Sequence, residues 1–140
     1  MATRSSNIGR VFELGYPPLY NDIPCVASDI VYEGSAVGLS SGYARPLVAA
    51  DEFCGFAISK VDNSSGSAGD KTVRVIQQGI VKADVVGASA VTHINDDVYM
   101  SDDDVFTLTS NSNTKVGKVV RWISGTTCMV AFQAAAIQSI

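Results

Sequence analysis

Few residues in this 140-residue chain have types and spacing that could do chemistry, and the acidic ones come first. Asp96-Asp97 and Asp102-Asp103-Asp104 are two carboxylate groups close in sequence. Calcium takes six to eight oxygens, and the helix-loop-helix calcium loop needs a central Gly and a closing Glu. Neither is present, and Val98-Tyr99-Met100 between the groups reads as a strand that would separate them. The sequence therefore predicts two solvated acidic turns rather than an ion site. His93 is the single histidine. A Ser/His/Asp triad needs that base beside an oriented nucleophile. No Gly-x-Ser-x-Gly elbow or similar frame occurs, so His93 reads as a loop residue. One His with three scattered Cys makes no zinc set.

Cys25, Cys54 and Cys128 are odd in number, widely spaced and without a Cys-x-x-Cys pair, which fits reduced structural thiols rather than a disulfide framework. Gly66 to Thr72 resembles the end of a phosphate loop, but Asp70 stands between Gly69 and Lys71 and breaks the required spacing. Trp122 and Tyr43 are isolated aromatics, fewer than a sugar platform needs, and Trp122 follows an apolar run that assigns it to core or subunit packing. The chain reads as free of catalytic residues, cofactor and metal.

The elements that would position these residues are β-strands. Gly55-Phe56-Ala57-Ile58 leads through a Ser/Gly/Asn/Asp connection to Thr72-Val73-Arg74-Val75-Ile76. Gly117-Lys118-Val119-Val120-Arg121 leads through Ser124-Gly125-Thr126 to Thr127–Phe132. Both read as hairpins. Ile30-Val31-Tyr32, Ala36–Leu39, Phe53–Val61, Val98–Met100 and Val105–Thr109 read as further strands, and Pro46 makes 43–48 an edge strand or no strand. In Thr72–Gln77, Val73 and Val75 share one face, with Thr72, Arg74 and Ile76 on the other. A bend is expected at Gly79. The polar stretch Asp62–Asp70 reads as a mobile loop. Residues 133–138 are either a helical turn or a frayed tail. Turn signals recur at the spacing of a sandwich or barrel, so the fold class is all-β.

Residues 1–29 read as an extended N-terminal arm and 30–140 as the barrel domain. The arm holds Pro17, Pro18 and Pro24 and the apolar anchors Ile8, Val11, Phe12, Leu14, Tyr16, Leu19, Tyr20 and Ile23. Disordered segments are poor in such residues, so the arm docks on something. It either covers the domain's own core or supplies a strand to another chain's sheet edge.

Composition bounds the partners. Hydrophobic residues make up 46% and charged residues 17%, with a net charge of −4. Mean hydropathy is +0.20. Sparse, scattered Lys and Arg argue against tracking a nucleic-acid backbone, and no apolar run reaches the length of a membrane span. Residues 1–6 show no apolar core of a secretory signal, and synthesis in a cytoplasm is expected. A weakly charged, apolar exterior predicts burial against copies of the chain or a larger assembly.

The order of short motifs resembles a family of small tailed-phage capsid decoration, or cement, proteins. The likeness runs from Gly55-Phe56-Ala57-Ile58 through Gly69-Asp70-Lys71-Thr72-Val73-Arg74-Val75 and Gly79-Ile80-Val81. It continues in Asp96-Asp97-Val98-Tyr99, Asp103-Asp104-Val105-Phe106-Thr107, Val116-Gly117-Lys118-Val119-Val120 and Met129-Val130-Ala131-Phe132, so it covers about residues 30–133. The chain departs from the pattern where Asp96 replaces a Gly, where Met100 replaces an aromatic, and in a longer arm.

The resemblance implies a small β-barrel or β-tulip-like domain similar to lambda-type head decoration proteins. It implies a homotrimer on the outer surface of the virion, clamping the major capsid protein of neighbouring capsomers, with no enzymatic activity. The arm's Ile8, Val11, Phe12, Tyr16, Pro17, Pro18, Leu19, Tyr20 and Ile23 would be the capsid or subunit contacts, with Trp122 in subunit packing. On that reading, deleting residues 1–24 leaves a folded trimer with weaker capsid binding. The competing readings are a carbohydrate-binding β-sandwich on a virion surface, a tail-tube or baseplate β-protein, and a small hydrolase using His93.

Overall fold

The computed structural model describes residues 4–14 and 19–138. Thirteen strands are formed among them: β1 (Phe12–Glu13), β2 (Tyr20–Pro24), β3 (Asp29–Val31), β4 (Ala36–Ser40), β5 (Tyr43–Pro46), β6 (Phe53–Ala57) and β7 (Val61–Asn63). The remainder are β8 (Thr72–Ile76), β9 (Gln78–Val86), β10 (Asp97–Met100), β11 (Phe106–Thr107), β12 (Thr114–Ser124) and β13 (Thr127–Gln133). The only helical pieces described are single 3₁₀ turns at Val91–His93 and Ala135–Ile137. The second of these gives the C-terminal segment its turn.

Five strands close a barrel. β9 pairs β13 along one side and β11 along the other, and β10 and β12 complete the ring. Closure removes the free edges that would otherwise invite pairing with other chains. Alternation along β9 sets its interior. Val81, Ala83 and Val85 of β9 point inward, while Lys82, Asp84 and Val86 point out. The β12–β13 hairpin runs from Gly117↔Phe132 to Ser124↔Thr127, as its sequence predicts. The β9–β11 contact is parallel and joins residues about twenty apart, Phe106↔Val85.

A second sheet, β2-β8-β6-β4-β5, packs on the barrel. A parallel bridge from Cys25 to Ala44 brings its first and last strands together, so this sheet also curls around a core of its own. β5, the strand bearing Pro46, lies at the sheet's end, as proline's missing N–H requires. The two-residue turn between β4 and β5 has positive φ at Ser41 (51°) and Gly42 (85°), the primed geometry that matches the twist of a hairpin.

β6 serves both cores. Phe53 and Phe56 join the barrel cluster, whereas Cys54 and Ala57 face the smaller cluster. Strict alternation cannot place residues 53 and 56 on one side. β6 carries an extra residue at Cys54, which is skipped where the partner of β4 passes from Gly55 opposite Val37 to Phe53 opposite Gly38, and this bulge allows it. β8 behaves alike: Val73 and Val75 enter the small core, while Ile76 is buried against the barrel rather than exposed with Thr72 and Arg74. The seam is aromatic. Phe56 meets Phe132 edge-on at 4.9 Å between centroids, and Phe53 and Phe12 pack on the same ring pair. Such pairs add about 0.5–1.5 kcal/mol each beyond area burial.

The polar stretch 62–70 departs from its expected mobility. It begins inside β7, which pairs β3. Asn63 is 2% exposed and donates from Nδ2 to Val26 O at 2.8 Å and to Ser67 O at 3.1 Å. Gly69 N donates to Cys25 O. A buried amide at the head of the loop laces it to the segment before β3, a tether that turn composition does not reveal.

Candidate interaction surface and polar clusters

The arm lies on its own chain. β1 pairs β9 through Phe12↔Val81, and β2 pairs β8 along all five residues from Tyr20↔Ile76 to Pro24↔Thr72. Phe12 packs on the barrel core and Ile23 is buried in the smaller one. Ile8 donates its N–H to Glu33 O at 2.9 Å and sets its side chain against Gly34. Of the two destinations open from sequence, the described arm takes the domain's own core. Val11, Leu14, Leu19 and Tyr20 keep their side chains exposed, Val11 at 57%. Tyr16, Pro17 and Pro18 lie outside the described residues.

The expectation that a chain without residues 1–24 still folds as a trimer is argued against by the pairing of β1 and β2 with the domain. That segment carries β1, β2, Phe12 and Ile23, and its loss would expose both cores.

What holds the arm is the acidic turn at 102–104. Arg10 is a nearly buried side chain, 5% exposed, whose Nη2 donates to Asp104 Oδ1 at 3.0 Å. Its Nε donates to Gly34 O. The guanidinium carbon stands 5.3 Å from the ring centroids of both Phe56 and Phe106. Burial pulls the Arg10 pKa down and the Asp104 carboxylate pulls it back up; the group remains a cation. Arg4 reaches Asp104 Oδ2 at 3.4 Å. Asp103 is fully buried, accepting from Ser35 Oγ at 3.5 Å, and its carbonyl accepts from Ala36 N. Asp102 Oδ1 accepts from the N–H groups of Asp104 and Val105. This turn is a partnered dock for the arm, not the solvated turn expected. The arginines that bury it are some ninety residues away in sequence, beyond any local signal.

The other acidic pair is separated from it by β10, as the sequence implies. Asp97 contacts Lys118 Nζ at 2.8 Å and Lys115 Nζ at 3.4 Å. The Lys118 hydrogen bond, outweighing the small desolvation that opposes it, holds the Asp97 carboxyl below its ordinary range. Asp96 instead faces His93. His93 Nδ1 lies 3.0 Å from Asp96 Oδ2 and Nε2 lies 3.4 Å from Ser89 Oγ. This grouping spans positions i, i+4 and i+7 through a 3₁₀ turn, a spacing with no motif to announce it. Among the described residues, no group of three or more His, Cys, Asp or Glu is arranged to hold a metal ion.

Two concave regions stand out. A groove of about 300 Å³ between the two bodies is lined by Ile23, Leu39, Phe53, Cys54, Gln77 and Ala135, among others, and is mainly apolar. Burial, with Glu52 and Asp51 nearby, pushes the Cys54 thiol up to about 11, which leaves it protonated and inert at neutral pH. A smaller hollow of about 190 Å³ lies under the arm beside Arg10 and Gly34. The groove's thiol has only like-acting carboxylates beside it, which keep it protonated rather than activate it.

Trp122 is partly buried against its own barrel core and its Nε1 donates to Gly125 O at 2.9 Å. That bond ties the half-buried ring to the β12–β13 turn.

The barrel's outer surface carries the exposed apolar residues Val86, Val91, Ile94, Val120 and Ile123, with Val91 at 60%. No helix among the described residues is long and apolar enough to cross a membrane. No protein-family model matches the chain, and no curated protein is significantly similar to it.

Proposed function

We propose that this chain is a structural protein of a tailed-phage head, binding the outer capsid surface as a trimer and clamping neighbouring capsomers. The observation that carries the reading is the exposure of Val11, Leu14, Leu19 and Tyr20 on the arm together with Val86, Val91, Val120 and Ile123 on a closed barrel. Among the described residues, none of these side chains lines either concave region. Exposed apolar surface on a small β-barrel with few charges is stabilised by burial against another protein surface. The order of motifs from Gly55 to Phe132 points to the same class.

Phe12 and Ile23, committed to the chain's own cores, act by holding the arm in place, and Val11, Leu19 and Tyr20 make the outward contact. Three weak contacts of this kind, linked in one trimer, gain through effective concentration what each lacks alone. The carbohydrate-binding reading loses support from the engagement of Trp122 described above.

The experiment is decoration of expanded phage heads stripped of their own cement protein, with native mass spectrometry of the free protein. The expected result is a trimer that binds the shells. A Val11→Asp/Leu19→Asp/Tyr20→Ser variant with unchanged thermal stability is expected to bind at least about tenfold more weakly. A monomer at high concentration that ignores every shell offered overturns the reading.

A further inference from the structure

The loop between β9 and β10 is fixed at both ends. Ala88 is buried and donates its N–H to Val85 O at 3.1 Å, anchoring the residue before Ser89. At the far end Asn95 N donates to Val119 O at 2.8 Å, and Val119 N donates to Asp96 O at 3.0 Å. Between these anchors His93 N and Ile94 N close the 3₁₀ turn onto Ala90 O and Val91 O. Ser89, His93 and Asp96 are thus carried on a backbone tied to the barrel, a condition for keeping side chains in one mutual geometry.

That geometry has a chemical order. With its proton on Nδ1, His93 donates to Asp96 Oδ2 at 3.0 Å and presents a bare Nε2 to the Ser89 hydroxyl at 3.4 Å. A carboxylate orienting an imidazole, whose other nitrogen faces a hydroxyl, is the arrangement that activates a serine. The Ser–His separation is long for a hydrogen bond and falls in the looser range found before an acyl group binds. Ser89 is exposed, so an acyl donor can reach it. Val91 and Ile94, exposed on the same turn, offer apolar surface to a short acyl chain.

We propose that Ser89, His93 and Asp96 form an open acyl-accepting centre that takes acyl groups from small activated esters. This function belongs to the free protein, because Val91 beside the centre is among the side chains that the capsid contact would cover. Ser89 Oγ bonds to the ester carbonyl carbon as its proton passes to His93 Nε2. The bond from that carbon to the leaving oxygen then breaks; the leaving group either takes the proton from His93 or departs as a phenolate while His93 gives that proton to solvent, so the imidazole is neutral again in both cases. Water, deprotonated by His93, next attacks the acyl-serine, releasing the carboxylic acid and restoring the hydroxyl. Asp96 is a positioning residue, holding the imidazole tautomer. The centre lines neither described concave region and its Ser89 and Asp96 are exposed, so the developing charge meets water. Its acyl donors are accordingly restricted to those with good leaving groups.

The test uses the whole protein with p-nitrophenyl acetate at pH 8, following p-nitrophenolate release and locating the acetyl group by peptide mass spectrometry. The expected result is an acetyl adduct on Ser89, absent in Ser89→Ala. In His93→Gln the adduct is expected to form about 100-fold more slowly. In Asp96→Asn it should form about tenfold more slowly, and Asp96→Glu should recover most of that loss, which a purely structural role would not produce. Acetylation confined to lysines in the unmodified protein overturns the proposal, as does an unchanged rate of Ser89 acetylation in a folded His93→Gln variant.

Discussion

Arg10 and Asp104, 94 residues apart in sequence, meet at 3.0 Å, the guanidinium nearly buried against Phe56 and Phe106 and the carboxylate partly exposed. A cation buried to that depth is tolerated only with its partner in place. Truncating Arg10 leaves Asp104 with the longer contact to Arg4 and unseats the arm. Arg10→Ala is expected to cost about 2–3 kcal/mol, toward the lower end for broken buried pairs because Asp104 stays partly solvated. Urea unfolding of Arg10→Ala, Asp104→Asn and the double variant checks this. The double variant should lose less than the sum of the two singles.

The arm's hold on the barrel rests equally on Phe12, which lies 6.0 Å from Phe56 and 5.9 Å from Phe132. Phe12→Ala is expected to lower stability by about 3 kcal/mol. Deleting residues 1–24 is expected to give a chain with a collapsed thermal transition or none. A deletion variant that melts like the full chain would show the arm to be an appendage.

Gly117 is paired with Phe132 in the hairpin that closes the barrel, and a Cβ there would collide with the carbonyl of Ala131. Backbone cannot yield as a side-chain tip does. Gly117→Ala is expected to destabilise by about 3 kcal/mol or more, with Ala substituted at the turn residue Gly125, where a Cβ meets nothing, losing much less despite its positive φ of 53°. Soluble yield and melting temperature report the difference.

Asp97 gives the acid limb of stability a definite sign. Its folded pKa lies below the ordinary 3.8 because of Lys118 and then Lys115, so the folded state binds fewer protons than the unfolded chain. The stabilisation is complete above about pH 4 and is lost as pH falls through the folded pKa. Asp22, held down by Arg74, and Asp62, held down by Ser64, act in the same direction. Asp97→Asn is expected to lower the melting temperature slightly at pH 7 and to match the parent at pH 2. The pair is exposed and screened, so the difference should shrink further in 1 M salt.

The strands were legible because their signals are local. The alternation of Val73 and Val75 and the Ser124-Gly125-Thr126 turn each specify geometry within a few residues. The strand-and-turn pattern was enough for an all-β barrel. Three features were beyond that reach. Ile76 and the split allegiance of β6 depend on a bulge and on a second body pressing from outside. The burial of Asp103 depends on Ser35 and on the backbone N–H of Arg4, and the pairing of Asp104 depends on the side chains of Arg4 and Arg10. The Ser89–His93–Asp96 grouping depends on a 3₁₀ turn whose residues, Val91 and Thr92 among them, favour strands by type. In each case the deciding contact comes from a segment or a backbone twist that no window of neighbouring residues contains.

The pairing of β1 with β9 and of Arg10 with Asp104 also orders events during biosynthesis. Residues 4–14 leave the ribosome long before their partners at 80–81 and 104 exist, and the parallel strand at 106–107 must follow before the ring can shut. The chain waits, with its first aromatic unshielded, for nearly three-quarters of its length to appear. Such dependence on remote partners makes for slow maturation and a vulnerable interval, and it gives chaperones a reason to attend this small protein early.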